Sequence, residues 1–297
     1  MAEYILSCCS TADLSREHLL SRDIPYVCFH FFLNGEEKTD DLGISVPPKV
    51  LFDTIKAGAD ARTAQVNAEE YEAFFRPYLQ QGKDILHVTL SSGISGTINS
   101  AQAAAAALRE AFPERKIYIV DSLCASSGYG LFMDKLADLR DEGMGIDELK
   151  AWAEGNRLRL NHWFFSTDLT QYIRGGRVSK TAGFVGGLLG ICPLLHVNNL
   201  GQLEPVAKIP SRKLVRREML KKMETQAENG LDYSGKCFIC QSDIMEDARK
   251  VADEVERRFP HLDGKVQIFP IGGVIGCHTG PGTVALFFWT EKPNRER

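Results

Sequence analysis

Short apolar segments alternate with helical segments along the first half of the chain, and this alternation constrains the fold most strongly. Each apolar segment is rich in β-branched or aromatic residues and has the length of a strand: "YILSCCS", "VCFHFFL", "DILHVTL" and "KIYIVDS". The clearest helix is predicted over residues 96–112, an alanine-rich stretch that Pro113 terminates. Strands that alternate with helices predict an open, parallel α/β sheet.

Small polar residues follow three of these predicted strands, in "CCSTAD", "LSSGISGT" and "DSLCASSG". The carboxyl ends of parallel strands lie at one edge of a sheet, and open sheets bind their ligands beyond that edge. We therefore expect the three loops to meet at a binding site.

The second half of the chain carries its own set of strands and helices. Strands are predicted at "KCFICQS", "KVQIFPIGG" and "TVALFFWT", and helices near residues 211–229 and 244–259. A chain of 297 residues has room for two domains. We predict an N-terminal domain over residues 1–155 and a C-terminal domain over residues 156–297.

Charge and cysteine content disfavour several classes of protein. A net charge of −4, evenly spread, gives no reason to expect a nucleic-acid partner. Charged residues near the start argue against a signal peptide, and Pro193 with several glycines makes residues 181–203 a poor membrane span. A cytoplasmic protein without stable membrane insertion is therefore expected. Cys237 and Cys240 lie in an apolar strand without a second pair of ligands, so no metal site is expected.

The serines of "LSSGISGT" could supply a nucleophile, bind an anion or cap a helix, and the residues alone leave these interpretations open. A serine esterase needs a G-x-S-x-G elbow, but the second glycine comes one position early here, and Asp243 and His278 would have to complete the triad. A phosphotransferase is disfavoured because the chain has no G-x-x-x-x-G-K-[ST] loop. The remaining interpretations are an anion held by Ser92 and Ser95 at a helix start, or a simple helix cap.

Glycines recur at three- and four-residue spacing on a predicted helix: Gly183, Gly186, Gly187 and Gly190. Such a stripe of bare backbone lets an alkyl chain or another helix approach closely, and the sequence leaves both open. Aromatic residues that could line an alkyl channel are Phe164, Phe165 and Phe184.

Basic residues recur at three-residue spacing just before these glycines: Arg174, Arg177 and Lys180. On a continuous helix they would share one face. That face would either receive a phosphate or an acidic partner or remain solvated.

Six stretches, in order, make the chain resemble the DegV family of bacterial fatty-acid-binding proteins. They are "STADLS" at 10–15, "RTAQVNAEEY" at 62–71, "LSSGISGT" at 90–97, "IVDSLCASSGYG" at 119–130, "YIRGGRVSKTAGFVGGLLGICPLL" at 172–195 and "HTGPGTVALFF" at 278–288. The resemblance covers nearly the whole chain. It implies a two-domain fold, with an N-terminal three-layer α/β/α domain built on a parallel sheet and a C-terminal α/β domain built on a mixed sheet.

The resemblance also implies a function. It suggests a lipid-binding carrier that is not an enzyme, needs no cofactor and encloses a long-chain fatty acid between its domains. By resemblance, Thr63 and Ser95 hold the carboxylate, with Ser95 favoured over Ser92, and His278 lies near the head group. The tail would lie against Gly183, Phe184, Gly186 and Gly187.

A separate fatty acid kinase is the partner that the resemblance implies, because the family presents its ligand for acyl-phosphate formation. The basic residues expected at the rim or against this partner are Arg212, Arg174 and Arg177. The chain departs from the family after the first strand, where Cys9 stands in place of the usual aspartate of D-S-T.

Overall fold

The computed structural model describes residues 4–179, 190–293 and 295. The first half contains β1 (Tyr4–Cys9), α1 (Arg16–Ser21), β2 (Tyr26–Val27), β3 (His30–Leu33), β4 (Glu36–Thr39), α2 (Pro48–Lys56), β5 (Ala61–Ala64), α3 (Ala68–Gln80), β6 (Asp84–Thr89), α4 (Thr97–Ala111), β7 (Ile117–Asp121), α5 (Ser126–Asp141) and α6 (Ile146–Asn156). The second half contains β8 (Leu160–Ser166), α7 (Thr170–Arg174), β9 (Cys192–Val197), β10 (Leu203–Ile209), α8 (Arg212–Gln226), β11 (Phe238–Gln241), α9 (Met245–Arg258), β12 (Gln267–Pro270), α10 (Gly273–Thr279) and β13 (Thr283–Trp289).

A parallel sheet with the strand order β2-β1-β6-β7 forms the centre of the first half. Leu6 of β1 pairs with Leu86 of β6, and Val88 of β6 pairs with Val120 of β7. The two central strands, β1 and β6, are almost fully buried, as expected for a parallel sheet with helices on its faces. The predicted parallel sheet is therefore confirmed.

A small antiparallel sheet with the order β4-β3-β5 accompanies the parallel sheet. The sequence interpretation treated "VCFHFFL" as one strand, whereas the chain leaves β2 at Val27 and begins β3 at His30. The prediction was wrong here because apolar content alone does not show where a chain changes sheets. In the small sheet Thr63 of β5 pairs with Phe31 of β3.

The second half is built on a six-stranded mixed sheet with the order β10-β9-β8-β13-β11-β12. Strands β11 and β12 run parallel, and the other neighbouring strands run antiparallel. The predicted mixed sheet is thus confirmed. Helix α8 packs on one face, since Trp163 of β8 donates a hydrogen bond to Gln226 of α8 and lies beneath Lys222.

Helix α5 lies between the parallel and the mixed sheet. It contacts β1 on one side and β8, β11 and β13 on the other, so twelve of its sixteen residues are buried. Gly128 permits this approach, because a Cβ there would lie 2.4 Å from His162 Nε2. Asp134 is also buried in α5, where it forms ion pairs with Lys236 and Arg22 and a hydrogen bond with His18.

The two halves are joined by a second helix, α10, which belongs to the C-terminal half but packs on α2, β3 and β5. The boundary between residues 1–155 and 156–297 therefore stays a prediction, although the strands of the mixed sheet begin only at Leu160. None of the described helices combines the length and apolar character that crossing a bilayer requires.

Candidate functional site

The loops that follow β1, β6 and β7 meet at one edge of the parallel sheet. Ser91, after β6, donates its backbone N–H to Cys124 O at 3.0 Å, and its hydroxyl to Gly201 O in the β9–β10 turn at 2.8 Å. The last loop leads into Ser126, which donates to Asp13 in the first loop. The expected convergence of the loops is confirmed, and the mixed sheet contributes the opposite wall.

A cavity of about 400 Å³ lies beside this edge. Its polar lining comes from separate parts of the chain: Thr63, Gln65, Ser95, Arg177 and His278. The remaining lining is largely apolar and includes Phe29, Leu90, Ile94, Tyr172 and Ile275. We call Thr63, Ser95, Arg177 and His278 the polar end of the cavity.

Thr63 and His278 are bonded to each other at the polar end, with 2.8 Å between Thr63 Oγ1 and His278 Nε2. Burial, aided by the charge of Arg177, lowers the pKa of His278 to about 4. The imidazole is therefore neutral at pH 7. Its Nδ1 has no hydrogen-bond partner in the described part of the chain. A Cβ on Gly175 would lie 2.2 Å from that atom.

The structure distinguishes the two candidate serines. Ser95 lines the cavity just before α4, and its hydroxyl accepts a hydrogen bond from Thr97 N at 3.3 Å. Ser92 is exposed, donates its backbone N–H to Asp121 at 3.1 Å and does not line the cavity. Of the two serines, only Ser95 lines the same cavity as Thr63 and His278.

The basic segment does not form the single helical face that its spacing predicted. Helix α7 ends at Arg174, which is exposed, and Gly176 adopts a positive φ of 73° that turns the chain. Arg177 then points inward, lines the cavity and donates to Ile94 O at 3.2 Å. Burial lowers the pKa of Arg177. Lys180 lies outside the described residues.

A smaller apolar space of about 50 Å³ adjoins the cavity. Both spaces share Ala125, Tyr172, Leu203, Ile275 and Thr279. The smaller space is lined by Tyr172 together with three residues of the mixed sheet, Phe164, Ala285 and Phe287. We call these four residues the apolar end. Side chains alternate along a strand. Phe164 consequently faces this space while its neighbour Phe165 faces away from it and is buried elsewhere.

Gly183, Phe184, Gly186 and Gly187 lie outside the described residues. The lining residues that sequence reasoning missed include Tyr172, Ile275 and Thr279. Tyr172 and Thr279 lie in stretches that were noticed for their motifs, but no local signal indicates which of their side chains face a cavity.

Arg212 does not line the cavity. It begins α8, the helix that packs against Trp163, whereas Phe164 faces the cavity from the other side of the same strand. Arg212 forms an ion pair with Asp247 at 3.3 Å and leaves 55% of its side chain exposed. It is thus a surface residue on the outer layer of the mixed sheet.

The residues required for an esterase triad are not brought together. His278 is bonded to Thr63 rather than to Ser95, and Asp243 pairs with Lys56 on the surface. The unpartnered Nδ1 of His278 means that no carboxylate among the described residues orients the imidazole. The described residues also contain no group of three or more His, Cys, Asp or Glu side chains able to hold a metal ion.

Comparison with known proteins identifies the relatives of this chain. The model of the DegV family, described as "Uncharacterised protein, DegV family", matches residues 9–291. A DegV domain-containing protein of Clostridium perfringens is 35% identical over 288 residues, which are 97% of this chain and 98% of the relative.

Solved structures have the same fold. One is a DegV family protein from Thermus thermophilus, whose structure was described for its fatty acid binding. It is 25% identical to this chain with a TM-score of 0.84, and the match covers 97% of this chain and 99% of the other. The Streptococcus pneumoniae fatty acid kinase B3 protein, loaded with linoleic acid, is 21% identical with a TM-score of 0.81, covering 98% and 100%. The match to the family model and the full-length relative together place this chain in the DegV family.

Proposed function

We propose that this protein binds a long-chain fatty acid, with the carboxylate at the polar end of the cavity and the alkyl tail at the apolar end. The observation that carries the proposal is that the two spaces adjoin each other and share five lining residues. Hydroxyl, imidazole and guanidinium groups lie at one end, and aromatic and aliphatic side chains lie at the other. An amphiphile with one anionic head and a linear tail matches this division.

The hydrogen bond between Thr63 and His278 suits a carboxylate. A threonine hydroxyl has one proton, so it can donate to a ligand only if it accepts from the imidazole. The neutral tautomer with its proton on Nε2 does this: His278 donates to Thr63 Oγ1, and the Thr63 proton turns to the ligand. Ser95 supplies a second hydroxyl. These donors replace part of the hydration that a carboxylate loses on burial.

The apolar lining of the two spaces together supplies most of the affinity in this proposal. Each buried methylene contributes about 0.8 kcal/mol, so a sixteen-carbon tail gains roughly 10 kcal/mol before ordering costs. Two relatives support the assignment, since the Thermus thermophilus and Streptococcus pneumoniae proteins are both described with fatty acid binding or a bound fatty acid.

A finer part of the proposal concerns a partner. The Streptococcus pneumoniae relative is named as a fatty acid kinase component. We infer that this chain likewise presents its carboxylate to a separate kinase, so that the acyl phosphate forms on the bound ligand. Arg177 is the cation at the polar end that could contact the added phosphate, and Arg174 and Arg212 are exposed for contact with a partner.

Mass spectrometry of lipid extracted from the purified protein, followed by calorimetric titration with palmitate, tests the proposal. We expect a bound or acquired fatty acid and no Ser95-dependent hydrolysis of p-nitrophenyl esters. A protein that neither contains nor takes up a fatty acid would refute the binding function. Ester turnover that Ser95→Ala abolishes would favour the esterase instead.

A further inference from the structure

Two buried carboxyl groups lie outside the cavity and have no part in the proposed contacts with the ligand. Asp13 follows β1 and is 3% exposed, and Asp40 follows β4 and is 1% exposed. Burial of carboxyl groups away from a cation is costly. Both side chains lie against the start of α10, the helix whose other end carries His278.

Asp40 binds the start of α10 directly. Its Oδ1 accepts from Gly273 N at 3.0 Å, and its Oδ2 accepts from the Ser10 hydroxyl at 3.1 Å. Ser10 Oγ in turn accepts from Phe29 N at 3.1 Å. The carboxylate therefore connects the first turn of α10 to the loops that follow β1 and β2.

Asp13 lies on the other side of the same turn. Its Oδ2 accepts a hydrogen bond from the Ser126 hydroxyl at the start of α5. A Cβ on Gly272 would lie 2.6 Å from Asp13 Oδ1 and 3.5 Å from Asp40 Oδ1, so only a glycine lets both carboxyls approach the backbone here. Asp13 and Ser126 have positive φ values of 47° and 51°. Such backbone strain is retained only where the surroundings determine it.

The far end of α10 is held from the same half of the molecule. Thr63 of β5 is hydrogen-bonded to His278 in the last turn, and Asp40 is hydrogen-bonded to Gly273 in the first. The N-terminal half therefore contacts both ends of α10. The helix has seven residues and is about 10 Å long, short enough to move as a rigid unit. The position of its first turn therefore determines where the His278 imidazole lies relative to the cavity and how the ring is oriented.

We propose that Asp40, supported by Asp13, is a positioning residue that fixes α10 and thereby aims the His278–Thr63 pair at the ligand carboxylate. This inference rests on the proposed function, because it assigns a role in binding at the same polar end. Asp40 does not touch the ligand. It acts through the backbone of Gly273.

The position of α10 should depend on pH, because Asp40 can lose or gain a proton. Burial raises the pKa of Asp40 to about 6, against hydrogen bonds from Gly273 and Ser10 that lower it. Above that pH the carboxylate accepts the Gly273 N–H as a charged and stronger acceptor. The other titratable groups around Asp40 are Asp13, whose pKa is also raised by burial, Asp41, and the Cys28 and Cys277 thiols, whose pKa values are raised to about 12.

The experiment compares Asp40→Ala, Asp40→Asn and Gly272→Ala with the wild-type protein. Palmitate affinity is measured by calorimetry between pH 5.5 and 7.5, and the His278 ring nitrogens are followed by ¹⁵N NMR. Asp134→Asn is the matched control, since Asp134 is equally buried at 1% exposure but lies in α5 among Lys236 and His18. Circular dichroism and thermal melting report whether each variant folds.

We expect Asp40→Ala and Gly272→Ala to bind palmitate about tenfold more weakly at pH 7.5, the size of one lost hydrogen bond to a charged group. The His278 nitrogen signals should shift in both. In Asp40→Asn, palmitate affinity should no longer change with pH near pH 6. The Asp134→Asn control should lower the melting temperature without moving the His278 signals or the pH profile.

The outcomes separate this inference from the proposed function. Absence of palmitate binding by the wild type would refute the binding function itself. Wild-type binding, with unchanged affinity, His278 signals and pH profile in Asp40→Asn, would overturn only the positioning role. If Asp40→Ala does not fold, the Asn and Gly272→Ala variants still decide the question.

Discussion

The polar and apolar ends of one cavity are built in opposite ways. The polar end takes single side chains from distant segments, and Thr63 and His278 are 215 residues apart in the chain. The apolar end takes most of its side chains from neighbouring strands of one sheet, such as Phe164 of β8 and its partner Ala285 of β13. Hydrogen bonds are directional, whereas burial of apolar area is not. The first end is therefore suited to orient a head group and the second to supply affinity.

Filling the apolar end should have the largest effect. Ala285→Leu adds three carbons to a space of about 50 Å³ and so excludes the end of the tail. Excluding three tail carbons, as many as the leucine adds, would weaken palmitate binding by about 2.4 kcal/mol, roughly fiftyfold. Calorimetric titration measures this loss.

The same substitution at Ala252, buried in α9 on the outer layer, is the control for overpacking alone. Equal palmitate affinity in Ala285→Leu and the wild type would show that the tail does not occupy this space.

Removing single donors from the polar end should cost less. Thr63→Val and Ser95→Ala each delete one hydroxyl, and we expect palmitate binding to weaken by about 1.5 kcal/mol in either variant. Ser92→Ala is the matched control, because Ser92 is exposed and lies outside the cavity lining. An equal loss in all three serine and threonine variants would contradict the distinction between Ser95 and Ser92.

Acid should lower the stability of the folded protein through protonation of His278 at the polar end. Burial lowers the pKa of its imidazole in the folded state to about 4, whereas the unfolded value is near 6.5. The stability that this depression provides is complete above pH 6.5 and is lost as the pH falls toward 4. At pH 5.5 the loss is about 1.4 kcal/mol.

Chemical denaturation of the ligand-free protein at pH 7.5 and 5.5 measures this contribution. His278→Gln should show a smaller drop in stability between the two pH values, while substitution of the exposed His261 should leave the drop unchanged. An identical pH dependence in His278→Gln would mean that the imidazole is not held neutral by the fold.

The smallest effect on ligand affinity is expected outside both ends. Arg212 lies on the outer layer, so Arg212→Ala should change palmitate affinity by no more than the roughly 0.5 kcal/mol typical of surface substitutions. If it meets the proposed kinase, acyl-phosphate formation should slow, and added salt should slow the wild type similarly. A large loss of palmitate affinity in Arg212→Ala would extend the ligand site beyond the cavity.

Much of the fold could be predicted from local patterns. The strands at "YILSCCS", "DILHVTL" and "TVALFFWT" and the helix that Pro113 follows all occur within a few residues of their predicted positions. The small sheet that carries Thr63 was missed, because its strands have only four residues each and are partly exposed. Such short strands have no apolar alternation strong enough to detect.

The candidate site was less accessible to prediction. Resemblance to the family named Thr63, Ser95 and His278, but spacing alone treated Arg174 and Arg177 as equivalent. The structure separates them, because the chain turns at Gly176 after α7 has ended. Asp40 gave no signal, since isolated acidic residues are usually solvated, and Asp13 was noticed only as part of the loop "CCSTAD".

The sequence by itself determined the elements and the order of the loops at the edge of the parallel sheet, because strand and helix preferences depend on neighbouring residues. Only the tertiary structure decided which side chains meet. The Thr63–His278 pair, the Asp40–Gly273 contact and the inward turn of Arg177 each depend on how α10 and the segment after α7 pack on the other half. Packing of this kind sums many weak contacts between residues far apart in the chain, and no local pattern contains that sum.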